Sequence, residues 1–291
     1  MKMHKLDIPR CLVGEGPVWD VAEQALYYVD ILGRKLHRYE PASGAVRSWE
    51  TGKPVGSMAL RAGGGVIVAL PDGIHTMDLQ TGQITPFAIE AGLDPRLQFN
   101  DGKVDRRGRF VVGTTDTKIT DDLGQVYSVS ADGRLTVIDS GIVISNGPCW
   151  SPDDRTFYFA DSKRFVIYAY DYDIDTGRVS NKREWVNTRE FGGFPDGTTV
   201  DAEGRVWSAL CEAGKVVAWD ANGKVDRVID FPVRLTSSVM FGGPKLDQLY
   251  VTSIDPSALP FLKMEAEPLA GETFLVEDLD VVGVAEPRFA G

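Results

Sequence analysis

The feature that most constrains this chain is an internal repeat. Short runs rich in aromatic and β-branched residues recur along it: Leu26–Asp30, Val66–Leu70, Phe110–Thr114, Thr156–Ala160, Val206–Leu210 and Gln248–Thr252. Such runs read as strands. Each follows a polar turn, and most lead to another run and a second turn, as at Pro41–Gly44, Asp175–Gly177 and Ala221–Gly223. No long amphipathic helical pattern interrupts them. Aligned on these strands, the six units open on Glu15, Ser57, Asn100, Asn146, Asp196 and Ser237, spaced 41 to 50 residues apart. A repeat of that length with four short strands per unit predicts a propeller blade. The expected fold is therefore all-β: a six-bladed β-propeller with four-stranded blades around a central channel. It should occupy residues 1–291 as a single domain, since no linker or composition break divides the chain. The leftover ends, Met3–Val13 and Thr273–Val284, are strand-like and are expected to pair and close the ring.

Composition narrows the function. The formal net charge of -11 argues against nucleic acid. There is no basic amphipathic stretch, no apolar run long enough to cross a bilayer and no signal-peptide core at the N-terminus, so a cytoplasmic protein with no membrane partner is expected. Three cysteines, Cys11, Cys149 and Cys211, lack a CxxC pair and read as free thiols, and three histidines have no metal-ligand spacing.

In a propeller the first strand of each blade lines the channel, so the opening residues converge on one axis. All six carry side-chain oxygen, and Glu15, Asn100, Asn146 and Asp196 are the stronger ligands. Their words are alike: Gly14-Glu-Gly-Pro17, Phe99-Asn-Asp-Gly102, Ser145-Asn-Gly-Pro148 and Pro195-Asp-Gly197. Asn-Gly and Asp-Gly also make turns, but four such words in one repeat register favour a shared site. Carboxylates facing each other repel when bare, and a divalent cation resolves the conflict. An all-oxygen set suits Ca²⁺, Mg²⁺ or Mn²⁺ better than a soft ion, with Zn²⁺ and Fe²⁺ also among the candidates.

Other features read blandly. Asp171–Gly177 imitates an EF-hand loop but has its Gly one place late and Lys182 where Glu is needed, so a hairpin turn is expected. Cys149 has no histidine base nearby and reads as a small apolar filler. Asp30 and Asp161, ending the second strands of blades one and four, are open between orienting the site and capping loops. Lys103 is expected in a surface or inter-blade ion pair.

The same words, with Phe241-Gly-Gly-Pro244 and the longer stretch Pro195–Gly204, resemble in order the senescence-marker-protein/gluconolactonase/regucalcin family from about Cys11 to Ser253. The resemblance implies a six-bladed propeller with one divalent metal, Ca²⁺ first among candidates, that hydrolyses a small-molecule sugar lactone. It places the family's metal ligands on Glu15, Asn146 and Asp196 and a substrate-facing Asn on Asn100. Asp196 is the expected general base. Gln98 stands where many members carry Arg, and Lys118 near where sugar lactonases carry Glu. Both count as substrate-binding positions, and the departures imply a lactone other than gluconolactone. Lys118 turned inward would suit a carboxylate, keto or other electron-rich group; turned outward it would leave that side open. Phosphotriester hydrolysis on the same metal, or calcium binding without catalysis, are the alternatives. Oligomeric state is left open.

Overall fold

The first five repeats each form a four-stranded antiparallel sheet in simple meander order, the sixth takes its outermost strand from the N-terminus, and the six sheets complete the ring. The structure, a computed structural model, describes residues 1–89 and 92–291. The inner strands are Gly14–Asp20, Ser57–Leu60, Leu97–Val104, Ser145–Trp150, Phe194–Val200 and Thr236–Gly242. Every opening residue singled out from the sequence lies on one of them. The expected strand runs are the second strands of their blades, for example Ala25–Asp30 and Val206–Cys211.

Why the second strands are apolar at nearly every position follows from their place. Each is covered on both faces by a neighbouring blade, so the period of two sorts side chains between two interfaces instead of between core and solvent. Tyr27 and Val29 pack with Met58 and Val68 of blade two, whereas Leu26 and Tyr28 pack with Met240 and Tyr250 of blade six. Trp207 and Ala209 face blade six, and Val206 and Leu210 face blade four. The fourth strands, such as Ala45–Glu50 and Arg178–Asn187, are largely exposed and charged, which protects the ring's outer edges from pairing with other chains.

The chain ends close the ring as expected, over a shorter stretch. Lys2–Lys5 pairs antiparallel with Phe274–Glu277 and becomes the outermost strand of blade six. Residues 6–13 are not part of that ladder. After Glu277 the tail crosses the face of the ring opposite the site described below. It bridges Gly283 to Asp201 and Phe289 to Arg61, and Glu286 pairs with Lys103 at 3.3 Å. Phe289 is fully buried between blades two and three and meets Phe87 edge-on, 5.5 Å between centroids. Phe289→Ala should therefore destabilise the fold by about 3–5 kcal/mol, read as a lower urea midpoint at unchanged m-value.

Asp171–Gly177 is a hairpin turn, as expected: Asp173 accepts from the backbone of Asp175 at 3.0 Å, and Gly177 has φ +73°. Among the described residues no helix is long and apolar enough to cross a membrane.

Candidate functional site

The words that open the blades do more than bring oxygen to the axis. In five of the six inner strands the ladder with the second strand slips at the opening residue: between Glu15 and Val18, Phe99 and Gly102, Asn146 and Cys149, Pro195 and Thr198, and Thr236 and Ser238. These are bulges, which bend a strand and re-aim a side chain. The Gly that follows the polar residue or pair in each of the four words, with Pro after it at Glu15 and Asn146, therefore serves a bulge in a channel-lining strand, and the turn reading of Asn-Gly and Asp-Gly does not apply. Gly147 shows the need: its φ is +57°, and a Cβ there would lie 2.8 Å from the Asp196 carbonyl oxygen.

Glu15, Asn100, Asn146 and Asp196 line one cavity of about 780 Å³ at the mouth of the channel. Glu15, Asn146 and Asp196 are each about 5% exposed, while Asn100 is half-buried. Asn146 is held as an oxygen donor. Its Nδ2 donates to Ser162 Oγ at 2.9 Å, and that hydroxyl donates to the Pro195 carbonyl at 2.6 Å. The amide orientation is thereby set, and Oδ1 accepts from Asn100 Nδ2 at 3.0 Å. Asn100 Nδ2 also donates to the Ser145 carbonyl at 2.8 Å. Glu15 Oε2 accepts from the Gly16 amide at 2.9 Å.

The carboxyls of Glu15 and Asp196 are close enough for each to influence the other's proton affinity. Burial raises both well above the usual carboxylate range, and the Asp101 charge adds to it for each; the Asp196 charge raises Glu15 further. Two buried carboxyls that resist joint ionisation and lack a cation of their own form a strong cation site once both are ionised. Among the described residues no three His, Cys, Asp or Glu side chains gather as a metal cluster. The set here is two carboxylates completed by the Asn146 amide. Its all-oxygen chemistry fits a hard divalent ion.

Asp101 is a buried acid that the sequence reading passed over, because the repeat register selected Asn100 beside it. It lies below the cavity, accepting from the amides of Gly102 and Gly147, each at 2.8 Å. Burial raises its pKa and the Lys103 charge lowers it. Lys103, expected in a surface or inter-blade ion pair, instead makes a buried one with Glu286 of the C-terminal tail, and donates to the Thr198 carbonyl of blade five at 2.7 Å. Only the Asp-Gly word hinted at Asp101. Nothing local announced Ser162, which follows the second strand of blade four.

The other candidates divide. Lys118 lines the main cavity. Gln98 does not: it is exposed and lines an adjoining cavity of about 130 Å³ that shares Asn100, Thr115 and Thr117 with the main one. Asp30 and Asp161 are loop caps. Asp30 accepts from the amides of Leu12, Val13 and Gly33, and Asp161 from those of Val143 and Ile144. Each thereby ties down the segment entering its own blade's inner strand. Cys149 is buried, its thiol pushed up to about 11 by burial, with Thr198 Oγ1 at 3.3 Å from its sulfur; that is the environment of a filler. All three cysteines are free and buried.

Comparison with known proteins places this geometry. The model of the SMP-30/gluconolactonase/LRE-like region matches residues 13–255. A 6-deoxy-6-sulfogluconolactonase of Pseudomonas putida is 38% identical over 284 residues, 96% of this chain and 96% of that protein. A regucalcin of Xenopus laevis is 35% identical over 285 residues, 96% of this chain and 95% of that protein. The solved structure of a calcium-binding protein, regucalcin, from Agrobacterium tumefaciens superposes with a TM-score of 0.90 at 29% identity, covering 99% of this chain and 97% of that one. The match spans all four bulged words that build the cavity, and the chain belongs to the SMP-30/gluconolactonase/LRE-like family.

Proposed function

We propose that this protein is a divalent-metal-dependent lactonase that opens a sugar lactone to its hydroxy acid. The observation that carries the reading is the pair of buried carboxyls, Glu15 and Asp196, beside an oriented Asn146 amide at the base of an open cavity. Membership of a family whose relatives include a sulfogluconolactonase supports the substrate class.

Glu15, Asn146 and Asp196 would hold the ion. When bound, it supplies Lewis-acid polarisation of the lactone carbonyl, worth several kcal/mol of charge stabilisation. The remaining work belongs to the chain's own groups. Asp196 accepts a proton from the water that attacks the carbonyl carbon. The carbonyl carbon's bond to the ring oxygen then breaks, and that oxygen takes a proton to become the hydroxyl of the product. Asn100, half-buried at the cavity edge, positions the substrate by hydrogen bonding. Ser162 acts through Asn146, fixing which end of the amide faces the cavity.

A second reading, calcium binding without catalysis, is favoured by the calcium-binding regucalcin structure. One experiment separates them: a pH-indicator screen of aldonolactones and a phosphotriester, with Ca²⁺, Mg²⁺, Mn²⁺, Zn²⁺ or Fe²⁺ added back to chelated protein. Metal-dependent lactone opening well above buffer, with slower phosphotriester turnover, is the expected result. Ca²⁺ binding with no turnover of either substrate would leave the second reading standing.

A further inference from the structure

Beside the acidic centre, the cavity has a basic wall. Lys118 lies in the connection between the second and third strands of blade three, and Lys163 in the equivalent connection of blade four. Adjacent blades thus place an ammonium each at the same rim of the same cavity.

Both lysines are unpaired among the described residues, and the surrounding ion pairs show why. The carboxylates near them are already taken. Asp116 and Asp121 are bound by Arg96, at 2.7 and 2.6 Å. Asp161 and Asp122 are bound by Arg164, at 2.8 and 3.1 Å. Arginine's forked donors engage those acids two apiece, so each of the four carboxylates already has a guanidinium partner and the two ammonium groups are left without one of their own. The cavity's remaining acid outside the candidate metal site, Glu212, comes from blade five. In a chain of formal net charge -11, two free cations on one cavity wall run against the overall charge.

Opposite this wall the cavity is apolar. Val13, Ile31 and Ile254 come from blades one and six, and Leu259, Phe261 and Leu262 from the segment that follows Ile254. Leu259 and Leu262 pack on Val13 and Ile254, while Phe261 stays exposed at the mouth. Such a wall accepts a C–H face and rewards no hydroxyl.

We propose that the substrate is an anionic lactone: its carbonyl sits at the carboxylate centre, its carboxylate or other fixed anion is received by Lys118 and Lys163, and a hydroxyl-poor edge lies against the apolar wall. This rests on the lactonase reading and names its substrate class. The anion's attraction to the two lysines is electrostatic at a partly exposed rim, so it weakens with added salt.

The test compares matched pairs. A γ-butyrolactone carrying a ring carboxylate is set against γ-valerolactone, in which methyl replaces the carboxylate. Pyroglutamate and its methyl analogue, lactams that do not turn over, are titrated by calorimetry in parallel. The metal-loaded protein should prefer the carboxylated lactone in kcat/KM by roughly tenfold or more, with KM for that lactone alone rising with ionic strength. In the double variant Lys118→Met, Lys163→Met the preference should collapse, and in Lys118→Arg, Lys163→Arg it should persist. Equal or better use of the methyl lactone, or a preference that survives the Met pair, overturns the proposal. Should neither lactone turn over, the aldonolactone screen judges the lactonase reading separately, and calorimetry decides the wall. Lysine-dependent preference for pyroglutamate upholds an anion-binding wall. Indifference between the lactams removes it.

Discussion

Asp196→Asn is expected to lower kcat by about 100- to 10,000-fold, the range over which a positioned general base contributes. Asn100→Ala should cost much less, about tenfold, the worth of a hydrogen bond or two that only position the substrate. The contrast follows from surroundings. Asp196 is buried, sits close to Glu15, and has its proton affinity raised by desolvation and by the Asp101 charge. Asparagine keeps the shape and one ligand oxygen but cannot take a proton. Asn100 is half-buried, and its amide is engaged with Ser145 and Asn146. Because Asp196 would also hold the metal, both variants must be compared at saturating ion, so that weakened affinity is not read as lost chemistry. Initial rates against metal concentration establish saturation, and single-turnover rates then report the chemical step. Equal losses in the two variants would remove Asp196 as the base.

Stripping the metal is expected to abolish turnover and, with it, a pH-dependent part of the stability. In the metal-free protein the folded-state pKa values of Glu15 and Asp196 lie above their unfolded values. At pH above the unfolded carboxylate value the native state therefore holds more protons than the unfolded state, and stability falls as pH rises. The contribution of these two groups is fully present below about pH 4, near the unfolded values, and is lost as pH climbs through the raised folded ones. A bound divalent ion offsets the buried negative charge and should remove this penalty. The metal-induced rise in Tm should accordingly be small in acid and grow toward neutral pH. At a hundredfold excess over Kd the linkage amounts to about 2.7 kcal/mol. Thermal melts with chelator and with added Ca²⁺ across pH 4 to 8 check this. Metal stabilisation that shrinks as pH rises would contradict it, and Glu15→Gln should flatten the dependence.

The blade architecture was legible in the sequence because it rests on local chemistry. Every second strand is an aromatic and β-branched run between polar turns, and in a ring both its faces meet another blade, so the run is apolar throughout. The axis residues were legible for a related reason. Glu15, Asn100, Asn146 and Asp196 each stand at the same step of a repeat, and a repeat converts sequence register into position around a ring. What the sequence left open depended on contacts between blades. Asp101 is one residue from Asn100, yet the bulge sends it below the cavity to accept from Gly147 of the next blade. Ser162 matters only because blades four and five bring Asn146 and Pro195 to either side of it. Asp30 and Asp161 could have faced the site, but the orphan amides of the entering segments claimed them. Gln98 lies on the inner strand of blade three and Lys118 in the connection after its second strand, and only the closed ring decides which reaches the main cavity. The chain's local words determined the blades and the order of groups around the axis. The tertiary structure alone decided which acids stay bare, which lysines go unpaired and which wall is dry, because each is settled by partners tens of residues away.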